Sequence, residues 1–260
     1  MRLLFVVFLS VLFLNACVSS ETSIITKNSG AGHNTEFDPK GAAETRVKLA
    51  LVYLRKSNMQ LAKQNLDKAI EYQPNDANIY RVFAYYYQRV NESALAEEYY
   101  KISLSLDPKN ADTFNNYGTF LCGLERYKEA EDAFIMAVDQ SSYTGVANTY
   151  ENAALCAEKA GVADKALYYY QYALSHNPNK FYINLSLAKL NIDQSEYDAA
   201  RLNLYNFQMK SKINAESLWQ WIRLSYATDK SASLSKYAEQ LMENFPDSQR
   251  ALDYLNNEYY

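Results

Sequence analysis

QPNDANIYRVFAYYYQRVNESALAEEYYKISLSLDPKN, Gln73 to Asn110, opens and closes on the same punctuation, Gln-Pro-Asn-Asp at Gln73–Asp76 and Asp-Pro-Lys-Asn at Asp107–Asn110. Between Pro74 and Pro108 run two apolar stripes at helical spacing: Tyr80, Phe83, Ala84 and Tyr87, then Ala96, Tyr100 and Ser103. Large residues fill the gap between two helices, and Ala or Ser sits where the backbones approach closely. Proline ends the second helix because it lacks the N–H and clashes with the preceding turn. The stretch predicts two antiparallel helices joined by a turn, repeated at a fixed interval.

The interval from Pro74 to Pro108, with this pattern inside it, resembles the period of the tetratricopeptide repeat (TPR). Units begin at Ala43, Ala77, Ala111, Ala147, Phe181 and Ala215, the fourth after a two-residue insertion. In the third unit Ser142 replaces the closing proline; the fourth ends at Pro178 and the sixth at Pro246. The first four match strongly, while the fifth (Leu187, Ala188, Ala200, Leu204) and sixth (Leu218, Trp221, Ala238, Leu241) are degenerate. No single unit can bury its face alone, so the units stack. The expected fold is all-α: a solenoid of about six helix-turn-helix repeats over 42–246, coiled as a right-handed superhelix. A short capping helix is expected within 247–260.

The N-terminus reads differently. Leu3–Leu14 is apolar, follows Arg2, and is shorter than the roughly 20 residues that span a bilayer. It fits the core of a signal peptide over 1–16. Leu14-Asn15-Ala16-Cys17 resembles a bacterial lipobox, in which the cysteine becomes the lipidated first mature residue. An ordinary secretory signal with a nearby cysteine is the plainer alternative; a cysteine directly after the small residue favours the lipoprotein. Val18, rather than Asp, follows Cys17, which by resemblance to lipoprotein sorting implies the outer membrane. Residues 17–41 are polar and without a helical stripe, as in a lipidated flexible tether, and His33 lies there as a solvated side chain.

Removing 1–16 leaves 25 basic and 30 acidic residues, a net charge of −5, which disfavours a nucleic-acid partner. No nucleophile elbow, zinc-protease helix or phosphate loop is present. His176 stands at a helix end, where a cation suits the dipole. Nothing in the sequence asks for a cofactor, a metal or a small-molecule substrate, and we expect no enzyme.

Function then falls to the first helix of each unit, which lines the inner face of such a solenoid. Places two, five, nine and twelve of the units hold Asn78, Arg81, Tyr85, Gln88, Asn115, Thr119, Asn148, Glu151, Tyr182, Trp219 and Arg223. Asparagine pairs with peptide backbone, Arg with carboxylates, and Tyr and Trp supply rigid contact area. A groove for a protein segment is expected. Cys122 and Cys156 lie one repeat length apart on neighbouring first helices. A disulfide and two buried thiols both fit that placement, since the insertion shifts the register.

NNYGTFLCGLERYKEAEDAF (Asn115–Phe134) and YENAALCAEKAG (Tyr150–Gly161), with the lipobox, resemble the PilF/PilW family of type IV pilus biogenesis lipoproteins. The resemblance implies a pilotin with six repeats, lipid-anchored in the outer membrane and facing the periplasm. Its expected partner is the secretin subunit, whose localisation and multimerisation it would promote. The alternative is a lipid-anchored TPR scaffold for another cell-envelope assembly machine.

Overall fold

The computed structural model describes residues 37–259. The signal segment, Cys17 and His33 lie outside the described residues. All secondary structure among the described residues is helical. Helices pair as α1 (Pro39–Arg55) with α2 (Met59–Tyr72), α3 (Ala77–Arg89) with α4 (Ser93–Leu106), and α5 (Ala111–Gly123) with α6 (Tyr127–Val138). They continue as α7 (Val146–Lys159) with α8 (Ala163–His176), α9 (Ile183–Asp193) with α10 (Tyr197–Gln208), and α11 (Ala215–Ala227) with α12 (Ser231–Asn244). A last helix, α13 (Gln249–Leu255), packs on α11 and α12. The first helix begins earlier than the composition implied. Residues 39–41 of the expected tether are helical, because Pro39 at the first helical turn fixes φ where an N–H is not needed.

Every pair turns through the same device. Ser57, Asn91, Glu125, Gly161, Ser195 and Asp229 each hold a left-handed φ, between 53° and 72°, just after the first helix. The N–H of the following residue donates back five residues: Asn58 to Tyr53 O, Glu92 to Tyr87 O, Arg126 to Leu121 O, Val162 to Ala157 O, Glu196 to Asn191 O and Lys230 to Ser225 O. These bonds satisfy carbonyls that the helix end would orphan, which offsets the strain of a positive φ in a non-glycine residue. Only Gly161 is a glycine, so five of the six turns carry no sequence flag. The same turn recurs at Asn257, with Glu258 N–H donating to Asp253 O. Helix α13 therefore ends as a first helix does.

The helices of a pair meet at small residues. Ala50, Ala84, Ala154 and Ala188 on the first helices and Ala62, Ala96, Ala130, Ala166 and Ala200 on the second are all fully buried. Gly118 takes the place in α5, where a Cβ would stand 2.8 Å from the Phe134 ring and 3.1 Å from Ala130 O. Around these contacts large side chains such as Tyr100, Tyr170 and Leu66 close the core. The degenerate units differ: Phe207 and Leu241 fill the place that Ala or Ser holds in earlier second helices. There Trp221 stacks on Tyr237 at 5.2 Å and meets Tyr205 edge-on, its indole N–H buried without a hydrogen-bond partner among the described residues.

Successive pairs are tied on their second-helix side by carboxylates that recur one repeat apart. Glu97 accepts from Arg126 (2.7 Å), Lys101 (2.8 Å) and the Tyr117 hydroxyl (3.1 Å). One unit on, Glu131 accepts from Lys165 (2.6 Å) and the Tyr169 hydroxyl (2.7 Å). The Arg126 guanidinium, then Lys101, holds Glu97 down to about 2 from its usual 4.5. A carboxylate with a depressed folded-state pKa stabilises above its unfolded pKa and loses that contribution as pH falls toward the folded value. Glu97→Gln should therefore lower the melting temperature at pH 7, with the deficit shrinking between pH 4.5 and about 2 in circular-dichroism melts. Gly118→Val should cost about 1–3 kcal/mol by overpacking against Phe134, read in the same melts.

Candidate partner-binding groove

The first helices pack side by side as α1–α3–α5–α7 and again as α9–α11–α13. Between α7 and α9 no close backbone contact occurs, and side chains bridge the step instead. Lys180, in the link between α8 and α9, pairs with Glu151 of α7, and the Tyr182 hydroxyl donates to the same carboxylate at 3.1 Å. Burial works against the Lys180 charge, but hydrogen bonds with Glu151 and Tyr182 outweigh it and raise its pKa. Lys189 of α9 reaches Glu158 of α7 at 2.8 Å. Farther along, Arg223 of α11 pairs with Asp193 of α9 at 2.6 Å, and Arg250 of α13 with Glu216 of α11 at 2.7 Å.

The residues expected to face the groove divide by what they touch. On α3, Asn78 Oδ1 accepts from the Arg81 guanidinium, and the Tyr85 hydroxyl accepts from Arg89 at 3.3 Å. Gln88 is engaged from below, accepting from Tyr100. Asn115 of α5 accepts from Asn152 of α7 at 3.0 Å, an amide rung that leaves Asn115 Nδ2 and Asn152 Oδ1 without hydrogen-bond partners among the described residues. Thr119 turns its hydroxyl into its own helix, donating to Asn115 O. Asn148 is exposed at the start of α7, beside Tyr143 and His176, whose imidazole stacks on Tyr150 at 5.6 Å.

Trp219 departs from the expectation of an open contact platform. It is 4% exposed, packs against Ala251 and Leu241, and lies under the Arg250 guanidinium at 5.6 Å. Helix α13, packed on α11, brings Arg250 over the ring. Sequence reasoning missed Lys180, Lys189, Asn152 and Arg250. A signal existed for the charged ones: an acid on one first helix and a base about one repeat later in the chain.

Cys122 and Cys156 are joined in a disulfide, with Cα atoms 5.8 Å apart. The insertion lengthens the turn-to-turn interval between Glu125 and Gly161, so the cysteines hold places two residues apart in their units. Adjacent helices cross closely enough at that point for the offset pair to meet. Beyond the bond, between α6, α7 and α8, lies a hollow of about 190 Å³ lined by Phe134, Ala153, Ala157 and Val162. Among the described residues no group of three or more His, Cys, Asp or Glu converges as a metal site would need.

Stacked helix pairs with a side-chain-lined wall of first helices define a TPR solenoid, a protein-interaction scaffold. YrrB, a TPR protein with an unusual peptide-binding site, shares this fold with a TM-score of 0.60 at 22% identity over 74% of this chain and 97% of its own. Two pilus proteins are more alike. The type IV pilus assembly protein PilF of Pseudomonas aeruginosa is 31% identical over 245 residues, covering 93% of each chain. Its solved structure matches with a TM-score of 0.71, over 84% of this chain and 99% of that one. PilW, a widely conserved type IV pilus biogenesis factor, matches with a TM-score of 0.71 at 25% identity, over 82% of this chain and 98% of its own. No family model matches the chain. The chain belongs to the PilF/PilW family of type IV pilus biogenesis proteins.

The disulfide joins residues at a sequence separation of 34, and chain entropy alone assigns such a crosslink about 3–4 kcal/mol. Cys122→Ser with Cys156→Ser should lower the melting temperature of the oxidised protein and abolish its response to reductant, as read by circular dichroism.

Proposed function

We propose that this protein is a pilotin: a lipoprotein anchored at Cys17 in the outer membrane that holds a secretin subunit and promotes its multimerisation. The observation that carries the reading is a scaffold wall with free amides and cations, in a chain related along nearly its whole length to a pilus assembly protein. The lipobox-like Leu14–Cys17 supplies the anchor, and a disulfide suits an oxidising compartment such as the periplasm. Tethering subunits to one surface raises their effective concentration, so ring assembly needs no catalytic step, cofactor or metal.

The test is the amount of heat-resistant secretin multimer in membranes with and without the gene. Loss of multimer with monomer retained supports the reading, and unchanged multimer removes it. Cys17→Ala should leave the solenoid folded and displace the secretin from the outer membrane. A normal secretin distribution in that variant would contradict the anchoring step.

A further inference from the structure

Four of the cations along the wall are spoken for: Lys180, Lys189, Arg223 and Arg250 each pair with a carboxylate. Arg81 and Arg89 on α3 have no carboxylate partner among the described residues. Arg81 donates to the neutral Asn78 side chain, and Arg89 donates to the Tyr85 hydroxyl and to Ser57 Oγ, both at 3.3 Å. Asp112, which shares the surroundings of Tyr143 with Arg81, makes no ion pair with it. The guanidinium of Arg89 also lies 6.0 Å from the centre of the Tyr85 ring.

Arg81, Tyr85 and Arg89 are four residues apart, so they form one stripe along α3. Successive members are about 6 Å apart along the axis, and the two arginines about 12 Å. An extended peptide rises about 3.3 Å per residue and returns to the same face every second residue. Side chains four places apart in such a peptide are about 13 Å apart, and the one midway would lie over Tyr85. Arginine takes a carboxylate through two parallel N–H bonds, and tyrosine offers rigid contact area.

The charge around this stripe agrees. Residues 38–90 hold nine basic and five acidic side chains, whereas 91–260 hold 15 basic and 23 acidic. An acidic segment would be drawn toward the first three helices, α1 to α3, and repelled by the rest.

We propose that the Arg81–Tyr85–Arg89 stripe docks an extended acidic segment of the partner, with Asp or Glu at two places four residues apart and an apolar or aromatic residue midway. The proposal rests on the groove holding a protein partner, and it names the chemistry of the segment that enters. An anionic membrane surface is the competing occupant. The observed arrangement favours the peptide, because the two cations flank a tyrosine at the repeat of an extended chain.

The test uses the full mature chain and a nine-residue synthetic peptide with Glu at places three and seven, Leu at place five and Ser elsewhere. Binding is read by fluorescence anisotropy in about 50 mM and about 300 mM salt. We expect binding that weakens with salt and falls about tenfold or more in R81Q/R89Q, and equally when Gln replaces both Glu of the peptide. Lys212→Gln, on an exposed link, should bind as the parent does. Should R81Q/R89Q fail to fold, the peptide exchange on the unaltered protein decides. No binding, or equal binding of the Glu and Gln peptides, overturns the proposal. So does capture of phosphatidylglycerol vesicles through the two arginines in the absence of peptide binding. In cells, secretin crosslinked equally to parent and R81Q/R89Q would remove the stripe and leave the pilotin reading intact. Secretin crosslinked to neither would remove the pilotin reading, and the peptide titration would still judge the stripe.

Discussion

The close approach of two helix backbones, once per unit, is the constraint on which the structure depends. It requires Ala or Gly on both sides, and Gly118 shows the tolerance: a single added carbon would enter the Phe134 ring. Helices that touch so closely must be joined by a short turn, which forces a left-handed residue at Ser57, Asn91, Glu125, Gly161, Ser195 and Asp229. With the pair drawn tight, the large residues on either side project outward to the next pair. Stacking then follows from the same geometry that makes each unit. Where Phe207 and Leu241 enlarge the contact, the packing divides into smaller separate cores around Trp221 and Leu218.

The wall of first helices inherits this arrangement and splits electrostatically along its length. From α7 onward, acids and bases answer one another across the steps between units, which holds the wall together where α7 and α9 lack backbone contact. A cation already bonded to a carboxylate has less left for a partner, since its charge is largely neutralised. On α3 the cations Arg81 and Arg89 meet only neutral acceptors among the described residues, and Asn115 of α5 pairs with the amide of Asn152. The two ends of the wall are therefore unequal: one is internally satisfied, and one has unspent donors and charge.

The third junction is where the repeat is broken and where the chain is covalently closed. Two extra residues lengthen the link before α7, where Ser142 replaces the closing proline, and the neighbouring Tyr143 bonds Thr149 at 2.9 Å. The Cys122–Cys156 bond crosses the same junction, between α5 and α7. A crosslink there restricts the unfolded chain at the point where the regular packing rule is interrupted.

Much of this was written in the sequence. Pro74 and Pro108, the buried alanines and the large residues between them follow from sterics that act within a single repeat, so period, helix pairing and unit number were legible. The lipobox-like Leu14–Cys17 and the motif around Asn115 pointed to the family for the same reason: their information is local. What lay beyond reach depended on residues from different units meeting. Five of the six left-handed turns use Ser, Asn, Glu or Asp, whose strain is offset only by bonds formed once the helices are in place. The fate of Trp219 was set by Arg250, which stands on a helix that the repeat pattern does not count. Whether Cys122 and Cys156 met depended on how α5 and α7 cross after the insertion. Sequence determined each unit because its contacts are short-range; tertiary structure decided which groove groups are satisfied and which are free, because their partners come from the unit before or after.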